Sequence, residues 1–144
     1  MGIELTARVR AIPVARTAED VDWLAGRLEK FFAGATNAIY APVGGDENPV
    51  TVLQDVEART VWMPEDAGLI MRTSGSTTGS GRLVGLSAAQ MRASAAATEA
   101  RLGGPCSWVL ALAPHHIAGL QVVARALLSE REVVTCAVSY THLR

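Results

Sequence analysis

The residues from Thr73 to Arg82, TSGSTTGSGR, set short hydroxyl side chains among three glycines and close on a cation. Glycines let backbone amides approach oxygen atoms closely, and hydroxyls donate hydrogen bonds without adding negative charge. A guanidinium at Arg82 adds positive charge where outer phosphates would lie. This composition suits a polyphosphate. It is not a Walker loop, which requires glycine then lysine where Ser80 and Gly81 stand, and the only lysine of the chain is Lys30. Nor is it a dinucleotide fingerprint. From composition alone the same stretch also reads as a flexible surface loop.

His115 and His116 form the other chemically suggestive group. Adjacent side chains diverge, so a shared metal is not expected, and partly exposed or capping histidines are the plain alternative. Cys106 and Cys136 lie far apart without a CxxC pair, so they predict neither a disulfide framework nor a zinc site, but two buried thiols in a reducing compartment.

The elements that must position these residues follow from periodicity. Leu69–Met71 is a compact apolar run that predicts a buried strand entering the hydroxyl-rich loop, and Arg82–Leu86 predicts a second strand leaving it. Ser87 with Gln90 forms a capping box opening an Ala-rich helix, with Met91, Ala95 and Leu102 on one face and Gly103 and Gly104 as its stop. Trp108–Leu112 reads as a strand buried on both faces and ended by Pro114. A helix follows over about Ile117–Leu128 with Leu120, Val123, Ala124, Leu127 and Leu128 inward, and then the apolar run Val133–Val138.

Upstream, Thr17 with Asp20 resembles a capping box, and Val21, Leu24, Leu28 and Phe32 recur at helical spacing until Gly34. The Tyr40–Pro49 segment concentrates Gly, Pro, Asp and Asn and reads as a surface loop. Val50–Val56 is left open between strand and helix. Strands alternating with helices predict an α/β domain with a largely parallel sheet flanked by helices.

With 49% hydrophobic and 19% charged residues, the chain has enough apolar content to bury a core. A net charge of -1, with both signs spread along the chain, supplies no basic stripe for a nucleic acid. No membrane-length apolar stretch occurs, and the first ten residues carry Glu4, Arg8 and Arg10 where a signal peptide would be apolar, so the cytoplasm is expected.

The stretch TSGSTTGSGRLVGLS resembles the phosphate-binding signature of the adenylate-forming superfamily of acyl-CoA synthetases, luciferases and peptide-synthetase adenylation domains. Ala113–Leu120, APHHIAGL, is similar to that superfamily's next motif, in which an aromatic and a histidine precede a small residue and glycine. Between and after them, LGGPCSWVLALAPHHIAGLQVVARALLS resembles the o-succinylbenzoate:CoA ligases of menaquinone biosynthesis, in the compact form typical of actinobacteria. The likeness runs over roughly Leu69 to Ser129 and departs from the pattern in three places: Thr78 looks inserted, Gly81 replaces a proline, and Arg82 replaces a lysine.

The resemblance implies an enzyme that joins a carboxylic acid to AMP, releasing pyrophosphate, and then passes the acyl group to the thiol of coenzyme A. It implies that Thr73, Ser74, Gly75, Ser76, Thr77, Thr78 and Gly79 grip the β- and γ-phosphates of ATP, with Mg2+ carried by the nucleotide. Arg82 would hold the departing pyrophosphate, and His116 would stand near the acyl pocket and the phosphates. Later motifs, including a lysine that contacts the reacting carboxylate, do not occur here. Residues 1–138 are therefore expected to be an incomplete N-terminal adenylation domain, inactive as a ligase alone, and 139–144 a non-native tail unlike the family. Another acyl- or aryl-CoA ligase, an adenylation domain, or a standalone nucleotide-binding α/β module are the alternatives.

Overall fold

The computed structural model describes residues 8–60, 62–73 and 81–136. Ten elements run in the order β1 (Val9–Val14), α1 (Ala18–Phe32), β2 (Ile39–Gly44), α2 (Pro49–Arg59), β3 (Ala67–Arg72), β4 (Leu83–Ser87), α3 (Ala88–Leu102), β5 (Trp108–Leu110), α4 (Ile117–Leu128) and β6 (Val133–Thr135). The first sheet has strand order β1-β2-β3-β4, parallel except for the antiparallel β3–β4 hairpin. The second sheet pairs β5 and β6 in parallel around α4. The expectation of an α/β domain with a mostly parallel sheet flanked by helices is met.

Alternating side chains of the first sheet feed two cores. On one face Ile12, Val14, Tyr40, Leu69 and Met71 meet Leu24 and Leu28 of α1, Met91 of α3, Leu110 of β5 and Leu120 and Val123 of α4. On the other face Val9, Ile39, Ala41, Val43 and Ile70 meet Val52 and Val56 of α2. Each of the fully buried Leu and Val side chains contributes about 1.5–3 kcal/mol of transfer free energy. The second sheet lies beyond α1 and α4, with Leu110 turned into the core and Val109 outward.

Several expectations are corrected. Tyr40–Pro49 is not a surface loop: its first part belongs to β2, whose six residues are all buried. Pro42 was the misleading residue, since proline is unusual in a central strand. Its carbonyl accepts from Arg72 Nη2 at 3.3 Å on the β3 side, where pairing among the described residues is confined to Tyr40 and Leu69. The N–H that proline lacks is not needed there. Val50–Val56 resolves as part of α2, started by Asn48, whose side chain accepts from the Val50 and Thr51 amides, and by Pro49 in the first turn.

Trp108–Leu112 is shorter than read and not buried on both faces: Val109 is 62% and Leu112 52% exposed. Leu102 is 55% exposed rather than inward, because α3 buries little beyond Met91. Both cysteines are free and half-buried, not buried. In α1 the deeply buried aromatic is Phe31, with Phe32 only partly covered. The end of the Val133–Val138 run and the 139–144 tail lie outside the described residues.

Other readings hold in detail. Thr17 Oγ1 accepts the Asp20 amide at 3.1 Å, and the Asp20 carboxylate accepts the Ala15 amide at 2.8 Å, so this cap reaches back two residues further than a reciprocal box. Ser87 and Gln90 form the full reciprocal box, and Gly103 ends α3 at φ 88°, a conformation costly for any other residue. The helix expected over Ile117–Leu128 has those bounds. No helix among the described residues is long and apolar enough to cross a membrane.

Candidate functional site

The buried strand β3 ends at Arg72, and Thr73 then leaves the sheet. Thr73 N–H donates to the Arg82 carbonyl at 2.8 Å, and Arg82 N–H donates to Thr73 Oγ1, also at 2.8 Å. Two predicted site residues thus form the neck of a hairpin loop. The Arg82 side chain is exposed. Ser74, Gly75, Ser76, Thr77, Thr78 and Gly79 lie outside the described residues. On the outgoing side Gly81 adopts φ 63°, and its carbonyl accepts from Arg59 Nη1 of α2 at 3.0 Å. Proline, with φ locked near -65°, has no access to that turn.

The incoming side is anchored differently. The Arg72 guanidinium forms a fork with Glu47 in the turn between β2 and α2, at 2.7 Å from Nη1 to Oε2 and 2.6 Å from Nη2 to Oε1. Glu47 Oε1 also accepts the Gly44 amide at 2.9 Å and lies 3.8 Å from His115 Nε2. The Arg72 guanidinium beside it and the Gly44 amide hold the Glu47 carboxyl at a pKa of about 2. Burial, and then the neighbouring His116, push the His115 imidazole below its ordinary value. The same ion pair raises the Arg72 pKa.

His115 sits over Gly44, where an added Cβ would stand 2.9 Å from its ring. The His115 and His116 ring centroids are 4.1 Å apart. His116 is the exposed N-cap residue of α4, and its side chain makes no cap hydrogen bond. The segment carrying both histidines is held from two sides: Arg16 Nη1 donates to the Ala111 carbonyl at 2.8 Å, and Gly119 brings α4 against the Ala113 carbonyl. Thr73, Arg82 and His116 therefore stand on one connected cluster, joined through Arg72, Glu47 and His115. It lies at the carboxyl ends of parallel strands, the edge where open α/β sheets bind ligands. A cavity of about 500 Å³ lined by Arg10, Trp23, Arg27, Lys30 and Tyr40 lies away from this edge.

Sequence reading named Thr73, Arg82 and His116, which the structure brings onto this cluster, and did not anticipate Glu47, Arg72, Arg59 or the approach of His115 to Glu47. One signal was present. A charged Arg72 closing the apolar run before the loop requires a partner if half-buried.

No protein-family model matches the chain. Two curated relatives do, the probable 2-succinylbenzoate–CoA ligases of Mycobacterium tuberculosis strains CDC 1551 and H37Rv, each 38% identical over 112 residues. The chain is a relative of the 2-succinylbenzoate–CoA ligases. The alignment covers 78% of this chain and 28% of the length of those ligases, so it extends well beyond the 69–129 stretch in which the likeness was legible. Among solved structures, o-succinylbenzoate coenzyme A synthetase from Bacillus subtilis in complex with ATP and magnesium ion matches with a TM-score of 0.64. Its complex with the acyl-adenylate intermediate gives 0.63, and each match covers 93% of this chain and under half of the synthetase. VinN gives 0.60. At 16% identity these likenesses establish the fold, that of the N-terminal domain of the synthetase.

Proposed function

We propose that this chain is the nucleotide-holding part of an ATP-dependent acid:CoA ligase whose acid is o-succinylbenzoate. The observation that carries the reading is the tied Thr73–Arg82 neck at the carboxyl end of β3, linked to His116 through one side-chain cluster in a relative of the 2-succinylbenzoate–CoA ligases. In the whole enzyme a carboxylate oxygen bonds to the α-phosphorus of ATP as the bond to the β-phosphate bridging oxygen breaks, and pyrophosphate leaves. The coenzyme A thiol then displaces AMP from the acyl carbon. Thr73, Ser74, Gly75, Ser76, Thr77, Thr78 and Gly79 grip the outer phosphates, Arg82 offsets charge on the departing pyrophosphate, and His116 borders the acid.

The donor set suits an anion. Thr73 Oγ1 is committed as an acceptor to the Arg82 amide, which directs its own hydrogen elsewhere, and the Arg82 guanidinium has no partner among the described residues. Mg2+ is read as carried by the phosphates of the nucleotide, which offer it the oxygen ligands it prefers. A lysine for the reacting carboxylate is absent near the cluster: the single lysine, Lys30, is exposed on α1.

Calorimetric titration of the purified chain tests this. Mg-ATP is expected to bind and to raise the melting temperature, and the S76A/T77A variant to lose at least tenfold in affinity. Acid-dependent ATP:pyrophosphate exchange is expected to be absent. Equal affinity of the double variant and wild type sinks the loop assignment, and exchange at the rate of a complete ligase sinks the division of labour.

A further inference from the structure

Glu47 touches every segment that builds the cluster. It lies in the turn after β2, grips the last residue of β3 with both carboxylate oxygens, accepts the Gly44 amide, and faces His115 ahead of α4. A fork-to-fork pair fixes both distance and orientation, which a single ion pair does not. Arg72 is bonded directly to Thr73, so fixing Arg72 fixes where the hairpin loop leaves the sheet. The His115 ring lies against that of His116, tilted by 39°, so seating His115 limits where His116 can stand. On the far side of the loop Arg59, paired with Asp55 at 2.9 Å, holds the Gly81 carbonyl.

We propose that Glu47 is a positioning residue of this site, the carboxylate that sets the root of the Thr73–Arg82 loop and the His115–His116 pair in one fixed relation. The proposal rests on reading that loop as the holder of the nucleotide phosphates. Glu47 itself touches no nucleotide: a carboxylate beside a polyphosphate repels it, and here both oxygens are occupied by Arg72 and the Gly44 amide. Its charge offsets that of Arg72, as Asp55 offsets that of Arg59, which leaves the exposed Arg82 as a cation at the loop neck without a carboxylate partner among the described residues. The charged and titratable groups around it are Arg72, His115 and His116, with Asp46 beside His115 and Asp55 near Arg72.

Two measurements on the purified full chain test the assignment. In calorimetry with Mg-ATP, E47Q and R72M are each expected to bind about tenfold more weakly than wild type, and the E47Q/R72M double variant no more weakly than either, because both changes remove one shared contact. The glutamine keeps an oxygen for the Gly44 amide, so the turn survives. Wild-type affinity in E47Q, or losses that add in the double variant, overturns the proposal. In the second measurement the His115 ring is titrated by NMR without nucleotide. E47Q is expected to lower its pKa and R72M to raise it, since the carboxylate favours the imidazolium and the guanidinium opposes it. An unchanged His115 titration in E47Q overturns the proposal. Absence of Mg-ATP binding in wild type, with the His115 shifts present, instead removes the nucleotide reading and leaves the clamp standing.

Discussion

His115 and Glu47 respond to acid in the same direction for different reasons. The Glu47 pKa is depressed from 4.5 to about 2, so the stability it contributes is fully present above pH 4.5 and is lost as pH falls toward 2. The His115 pKa is depressed below 6.5 by burial, so the fold prefers the neutral ring and loses stability as pH falls below that value. The melting temperature is therefore expected to decline in two stages on acidification, with the lower stage removed in E47Q. A melting profile whose slope below pH 4.5 is the same in E47Q and wild type contradicts the ion pair's role. These residues also mark the limit of sequence reading. Thr73, Arg82 and His116 stood in recognisable motifs, whereas Glu47 lay in a Gly-, Pro- and Asn-rich segment whose composition signalled only a turn. Its pairing with Arg72 joins positions 25 residues apart, a separation that local spacing does not report.

At the level of elements, the downstream half was legible because its signals are local. Caps at Ser87 and Thr17, the stop at Gly103 and the 3.6-residue period of α4 each act within one or two turns. β1 and β2 were missed because each carries a proline, Pro13 and Pro42, which argues against a strand when its neighbour strands are unknown. The burial of β5 was overestimated for a related reason: an apolar run reports preference for burial, not whether a covering layer is present. One element-level contact has a direct test. An added Cβ at Gly119 would stand 2.2 Å from the Ala113 carbonyl oxygen, a backbone atom that cannot swing aside. G119A is expected to push α4 away from the segment bearing the histidines and to cost about 1–3 kcal/mol in denaturant unfolding. An unchanged midpoint shows that this approach is looser than described.

On the scale of the whole molecule, the same two-sheet arrangement that builds the site leaves apolar surface uncovered. Val109 and Val134 are register partners across β5 and β6, 62% and 55% exposed, and Leu112 follows at 52%. Both edges of this two-stranded sheet lack a further strand among the described residues, so backbone donors and acceptors stand beside apolar side chains, a combination that favours association between chains. Threonine matches valine in shape and in preference for strands while replacing a methyl with a hydroxyl, which an exposed position hydrates without cost. The V109T/V134T variant is expected to remain monomeric at concentrations where wild type associates, as read by light scattering, with its unfolding free energy within about 0.5 kcal/mol of wild type. Leu110, next to Val109 and fully buried, gives the opposite outcome on the same strand: L110A is expected to lose about 2–5 kcal/mol without improving solubility. Should V109T/V134T instead unfold like L110A, the outward face of the second sheet is packed in solution, and the division of β5 into a core-facing and a water-facing side is wrong.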